Sequence, residues 1–149
     1  MAVRREVRIG VVMRPDHPLA SDPGMTIAAC LPYPVAVAVA KPEGSIRKVI
    51  EPFLQPSALL RPPVVEVDAI PIVVDLVQIG HHVSVMTPIG AQNEIQSGNL
   101  VFRPLKDPSL PTNRFALVVR AAGHQYFAPT VFYENAKQHF EAINLPGAV

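Results

Sequence analysis

Two short stretches carry the side chains best placed for recognition chemistry. Lys41-Pro42-Glu43-Gly44-Ser45 runs into an apolar-periodic segment, so its last residues stand where a helix begins. At such a start the first backbone N–H groups lack partners and the helix dipole is positive, which suits an anionic group on a ligand. Pro42, Gly44 and Ser45 are therefore candidate ligand contacts, set against the plainer role of Ser45 as the N-cap of its helix. Met86-Thr87-Pro88 ends a β-branched run, and ligands of open α/β sheets collect outside the carboxyl ends of strands. Met86, Thr87 and Pro88 form the second candidate set, against the role of an ordinary strand end.

Other reactive residue types are better explained without chemistry. His81-His82 invites a metal, but adjacent residues on an extended segment point in opposite directions, and no carboxylate or cysteine stands at ligand spacing. No metal site is expected. Cys30 lies in Ile27-Ala28-Ala29-Cys30-Leu31, an apolar context that raises a thiol's pKa, so a buried structural role is expected. His17 opens a turn with Pro18. Asp68 and Asp75 share a helix face, but Asp68 is better explained as a cap than as half of an acid pair. No acid, base and nucleophile cluster together, so no catalytic residue and no cofactor are assigned.

The elements that must position these residues follow from periodicity. Residues 7–13 are rich in β-branched types and end at Arg14-Pro15-Asp16, a strand running into a turn. The continuous Val-Ala pattern of 35–40 fits a strand covered on both faces. Ile46, Val49, Ile50 and Phe53 share a helical face, with Pro52 expected to end or kink the helix near Glu51. Residues 65–88 read as strand, helix, glycine stop and second buried strand: 64–67 extends, Asp68 caps, Pro71 fits the first turn of a helix over 69–79, and Gly80 suits a left-handed stop before a strand at 83–86. A third helix is expected over 90–96, then strands at 99–105 and 114–121. The last helix has Pro129 near its start and Phe132, Ala136, Phe140 and Ile143 on one face.

Composition sets outer limits. A chain of 149 residues, 49% hydrophobic and 17% charged, can bury an ordinary core in one or two small lobes. Its 17 prolines are spread as punctuation between short elements rather than gathered in a low-complexity tract. A formal net charge of +1 gives no field to draw nucleic acid or an anionic membrane. The most apolar run, 27–40, is broken by Pro32 and Pro34 and falls short of the roughly 20 residues a spanning helix needs. One cysteine and no signal-peptide pattern make a cytoplasmic location the expectation.

His17-Pro18-Leu19-Ala20, Pro42-Glu43-Gly44-Ser45, the unit at 65–88, Glu94-Ile95-Gln96-Ser97-Gly98-Asn99-Leu100-Val101, Pro104-Leu105-Lys106-Asp107-Pro108 and Ala116-Leu117-Val118-Val119-Arg120 occur in this order. Together they resemble the effector-binding domain of LysR-type transcriptional regulators, over about residues 7–143. The resemblance implies an α/β, periplasmic-binding-protein-like (type II) fold: one lobe with a mixed, mostly parallel sheet, plus a partial second lobe. Residues 1–14 and 99–106 would be crossing strands, 15–98 a complete lobe, and 107–149 the C-terminal part of the other. The opening portion of that other lobe and the N-terminal winged helix-turn-helix would be missing.

The function this implies is sensing. A small metabolite effector, expected to be anionic, would sit between the lobes, and the chain would form a homo-oligomer, with no membrane contact. It would not bind DNA directly; DNA would be reached through the missing winged helix-turn-helix. The alternatives are an enzyme on the same two-lobe fold, such as a dehydratase or deaminase relative, and a free-standing solute receptor.

Overall fold

Valine-rich strands too apolar to face water on either side form the centre of the molecule. The computed structural model describes residues 2–39, 46–54, 64–119, 127–144 and 146. In order, the elements are β1 (Ala2–Val7), β2 (Gly10–Met13), α1 (Ile27–Cys30), β3 (Val35–Ala38), α2 (Ile46–Leu54), β4 (Val64–Val67), α3 (Ile70–Ile79), β5 (Val83–Met86), α4 (Gln92–Gln96), β6 (Val101–Pro104), β7 (Asn113–Val118) and α5 (Phe127–Ala142). Single 3-10 turns at Pro18–Ser21 and Pro88–Ala91 complete them.

Five strands form one mixed sheet in the order β4-β3-β5-β2-β6. β3 runs parallel to both β4 and β5, while β2 runs antiparallel to β5 and β6. Alternate residues feed two cores. Val11, Met13, Val35, Val37, Val83 and Val85 pack on one side with Ile27, Cys30, Ile50 and Leu54 from α1 and α2. Val12, Met86 and Phe102 pack on the other with Val74 and Val77 of α3. Cover on both faces is what the unbroken Val-Ala run demands, because neither face could be left to water without exposing a continuous apolar strip. Arg47 ties α2 across to Glu66 of β4 and along its own helix to Glu51.

β1 and β7 form a separate two-stranded antiparallel sheet, with Arg4 opposite Ala116 and Glu6 opposite Arg114. α5 is fastened to it from the amino-terminal side: the Arg5 guanidinium donates to the carbonyl oxygens of Phe140 and Ile143, at 3.0 and 2.5 Å. A cation at a helix C-terminus meets both the unpaired carbonyls and the negative end of the dipole. The backbone crosses between the two sheets at Arg8-Ile9 and again after β6. The crossings lie side by side, since the Leu105 N–H donates to the Ile9 carbonyl at 3.2 Å and β2 pairs with β6 from Gly10↔Pro104 to Met13↔Val101.

Several local expectations are corrected. The strand expected over 7–13 is two strands broken at Arg8-Ile9, with the first beginning at Ala2. α2 continues through Pro52 to Leu54, because Ile50 and Leu54 are buried and hold the last turn while Pro52 faces outward. Asp68 does not cap α3: the N-cap is Ala69, with no side-chain bond, and Asp68 is exposed. Gly80 is extended, at φ −123° and ψ −166°, so it closes the helix without a left-handed turn. The left-handed stop is Gly98, at φ +82°, after α4. On α5, Phe132 is 74% exposed, and its neighbour Tyr133 is the buried residue.

Candidate functional site

β5 delivers Met86 and Thr87 to the carboxyl end of the five-stranded sheet, and the chain then turns sharply through Pro88–Ala91. Pro at the first position of that turn loses nothing by lacking an N–H, which lets the strand stop abruptly. Thr87 is extended and half-exposed, and its hydroxyl makes no capping bond to the turn. Thr87 and Met86 border a cavity of about 260 Å³. Its near wall comes from the start of α2 (Ile46), the start of α3 (Ile70, Val73) and Ile89; its far wall comes from Asn113 and Phe115 of β7, in the other sheet. The cavity is therefore a cleft between the two sheets.

The cleft is mostly apolar. Among the described residues that line it, the polar side chains are Ser84, Thr87 and Asn113, and no charged side chain is present. Ser84 is fully buried, and its Oγ has no hydrogen-bond partner. Gly90 also borders the cleft, and the space where its side chain would begin is already filled: a Cβ there would lie 2.7 Å from Cε of Met86 and 2.8 Å from Cγ2 of Ile70.

Of the residues singled out from sequence, Met86 and Thr87 meet in this cleft. Pro88 is buried just behind it, as the start of the turn. Pro42, Gly44 and Ser45 lie outside the described residues; Ile46, directly after them, lines the cleft. Sequence reasoning missed Ser84, Asn113 and Phe115. Ser84 had a signal, as the lone hydroxyl in a strand that otherwise reads Val83, Val85, Met86. Phe115 had none, since its approach depends on how one sheet faces the other.

The remaining titratable groups are engaged elsewhere. Cys30 is buried, its Sγ donates to the Thr26 carbonyl at 3.4 Å, and burial pushes the thiol up to about 12. It is not a thiolate at neutral pH. His17 is buried with its Nδ1 accepting from the Leu19 N–H at 3.1 Å, its ring edge-on to Tyr33 with centroids 4.7 Å apart. Burial lowers its pKa, the nearby His81 adds to that, and Asp16 opposes it. Among the described residues no group of three or more His, Cys, Asp or Glu is arranged to hold a metal. His81 is exposed, whereas Nδ1 of His82 is buried and unpartnered. Three wider hollows, about 300 Å³ beside Asp75 and Glu94, about 350 Å³ beside Arg8 and Lys106 and about 420 Å³ beside Arg14 and Asn99, have more polar walls. No described helix is long and apolar enough to cross a membrane.

A family model for the LysR substrate binding domain matches residues 4–141. No curated protein matches the sequence. Among solved structures, the regulatory domain of MetR, a LysR family regulator from N. meningitidis, is 14% identical; the alignment covers 99% of this chain and 68% of that one, with a TM-score of 0.60. A putative transcriptional regulator from Vibrio parahaemolyticus is 17% identical over 95% of this chain and 66% of that one, with a TM-score of 0.62. The BenM effector binding domain with its effector benzoate is 18% identical over 97% of this chain and 67% of that one, with a TM-score of 0.56. At these identities the structures establish a shared architecture, periplasmic-binding-protein-like and of the second type, and the family model extends the assignment to sequence. With its cleft between two sheets and its matched span of 138 positions from residue 4 to residue 141, this chain belongs to the LysR substrate binding domain family.

Proposed function

We propose that this chain is a non-catalytic effector sensor, which takes a small molecule between its two sheets and passes the resulting closure to DNA-binding helices outside the chain. The observation that carries the reading is the approach of Phe115 and Asn113, from β7, to Met86 and Thr87, at the end of β5, across one cavity. A ligand there touches both sheets at once, so it binds the closed arrangement better than the open one. That difference in affinity is what shifts a two-state equilibrium. BenM binds benzoate as its effector; by analogy of architecture, a molecule of similar size is proposed here.

In this reading 15–98 is the complete lobe, 1–14 and 99–106 are the bridging strands, and 107–149 belongs to the other lobe. Of the residues chosen from sequence, Met86 and Thr87 touch the ligand. Pro88 shapes the strand end from behind, and Pro42, Gly44 and Ser45, just before α2 in the sequence, are proposed as further contacts. A second copy of the chain is the proposed macromolecular partner, the setting is cytoplasmic, and duplex DNA is not bound by this chain itself. An anionic effector, suggested by the helix start, has no Lys, Arg or His among the described wall residues to meet it.

Amide hydrogen exchange with and without candidate metabolites tests the proposal. A true effector should slow exchange both at 84–90 and at 113–117, because it bridges the two sheets. Protection confined to one sheet would overturn the reading.

A further inference from the structure

We infer that the ligand of the cleft is an uncharged, mainly apolar small molecule that completes its recognition with a hydrogen bond to the Ser84 hydroxyl. The inference rests on the reading of the cleft as the effector site and names the chemical class of its occupant. Ser84 sits in the middle of β5, opposite Val12 of β2 and Ala36 of β3. It is 0% exposed, and its Oγ is buried without a partner while the residue borders the cavity. Buried hydroxyls are almost always paired, because an unpaired one gives up its bonds to water and gains none in return. An orphan beside a cavity is accounted for when the missing partner is the cavity's occupant. The hydroxyl can donate one bond and accept two, so an alcohol, a phenol, a ketone or an amide would each satisfy it.

The described part of the wall favours an uncharged ligand. Ile46, Ile70, Val73, Met86 and Phe115 offer hydrocarbon, thioether and ring surface, and the polar side chains beside them are neutral. A carboxylate or phosphate entering this wall would lose its hydration and meet no opposite charge among the described residues, whereas a neutral ring loses only unfavourable contact with water. The cavity, at about 260 Å³, lies just under the range of typical ligand pockets and suits a single ring or a short branched chain.

The test compares benzyl alcohol with benzoate, which share a ring and differ in charge, by amide NMR titration of the whole chain and of Ser84→Ala. Benzyl alcohol should shift the amides of Ser84, Met86 and Thr87 and bind at least tenfold more tightly than benzoate. Ser84→Ala should bind the alcohol at least fivefold more weakly and, with the orphan hydroxyl gone, melt at a higher temperature when unliganded. Tighter binding of benzoate at the same amides would overturn the ligand class and leave the effector cleft standing. Should neither probe move those amides, the inference fails; if a wider set of amino acids and organic acids also leaves them unmoved, the reading of the cleft fails with it. Undiminished alcohol binding by Ser84→Ala, or a lower melting temperature for it, would remove the role given to the hydroxyl. The comparison on the unaltered chain stands even if the variant does not fold.

Discussion

The ring of Phe102 occupies the space where a side chain on Gly10 would begin: an ideal Cβ at Gly10 would stand 2.4 Å from Cζ of that ring and 2.5 Å from the carbonyl oxygen of Arg103. Gly10 opens β2 opposite Pro104, so this contact lies where the chain has just crossed from one sheet into the other. A bare backbone lets the crossing strands approach closely and lets Phe102 fill the second core.

Gly10→Ala should therefore destabilise the fold by about 2–3 kcal/mol, the upper part of the range for overpacking, because the site cannot yield. Urea unfolding would measure it. Adding Phe102→Leu should recover only part of the loss, because the Arg103 carbonyl is backbone and stays in place. Full recovery would show that the ring alone demands glycine.

Stability should fall in mild acid through His17. Its Nδ1 accepts the Leu19 N–H, which requires the neutral ring, and its pKa in the fold lies below the ordinary value of 6.5. As pH drops, the unfolded chain takes up the proton first, so this contribution is complete above about 6.5 and is lost as pH falls through the lowered folded value. His17→Asn, which can still accept from Leu19, should show a smaller loss between pH 8 and pH 5 than the unaltered chain. Identical pH profiles for the two would refute the assignment.

The Cys30 thiol should be inert in the native state. With its pKa at about 12 and its Sγ enclosed by Met25 and Thr26, it should react with a disulfide reagent at pH 8 at least about a hundredfold more slowly than in urea. Equal rates in the two conditions would show that the site opens readily.

Gly90→Ala should separate binding from stability. The new methyl meets the flexible end of Met86 and a methyl of Ile70, both of which line the cleft, and Met86 can swing aside. A stability cost of about 1–2 kcal/mol is expected, since the Met86 thioether yields but Cγ2 of Ile70, fixed on a β-branched carbon, moves only with its helix. Ligand affinity should drop about tenfold as Met86 swings into the cavity; a calorimetric titration would decide. Unchanged affinity would place the ligand elsewhere.

Self-association is expected through α5 and the end of β7, where Val118 is 70%, Phe127 87% and Phe132 74% exposed. A two-stranded sheet with one helix is a thin layer that leaves such apolar groups in water. Light scattering should find dimers or larger species at high concentration, reduced by the pair Phe127→Ser and Phe132→Ser. A strict monomer would contradict this.

The central sheet was legible because its strands are covered on both faces, and a Val-Ala run such as Val35 to Ala38 leaves few other readings. Val64–Val67 and Val83–Met86 lie where their residue types put them. The break at Arg8-Ile9 was hidden, since its cause is a change of partner, from β7 to β6, that no local pattern records. β1 was missed because Arg4, Arg5 and Glu6 give no apolar alternation. Its pairing with Asn113–Val118 and the hold of Arg5 on α5 are long-range facts. In the cleft, Met86 and Thr87 could be found by the rule that ligands gather at strand ends, whereas Phe115 and Asn113 come from residues distant in the chain.

The neighbouring crossings at Ile9 and Leu105, joined by a backbone hydrogen bond, have a mechanical meaning. Two plates linked by adjacent straps can rock about the line of those straps far more easily than they can slide or separate. A molecule lodged at the free edge then acts with leverage, turning a small local squeeze into a larger swing of α5.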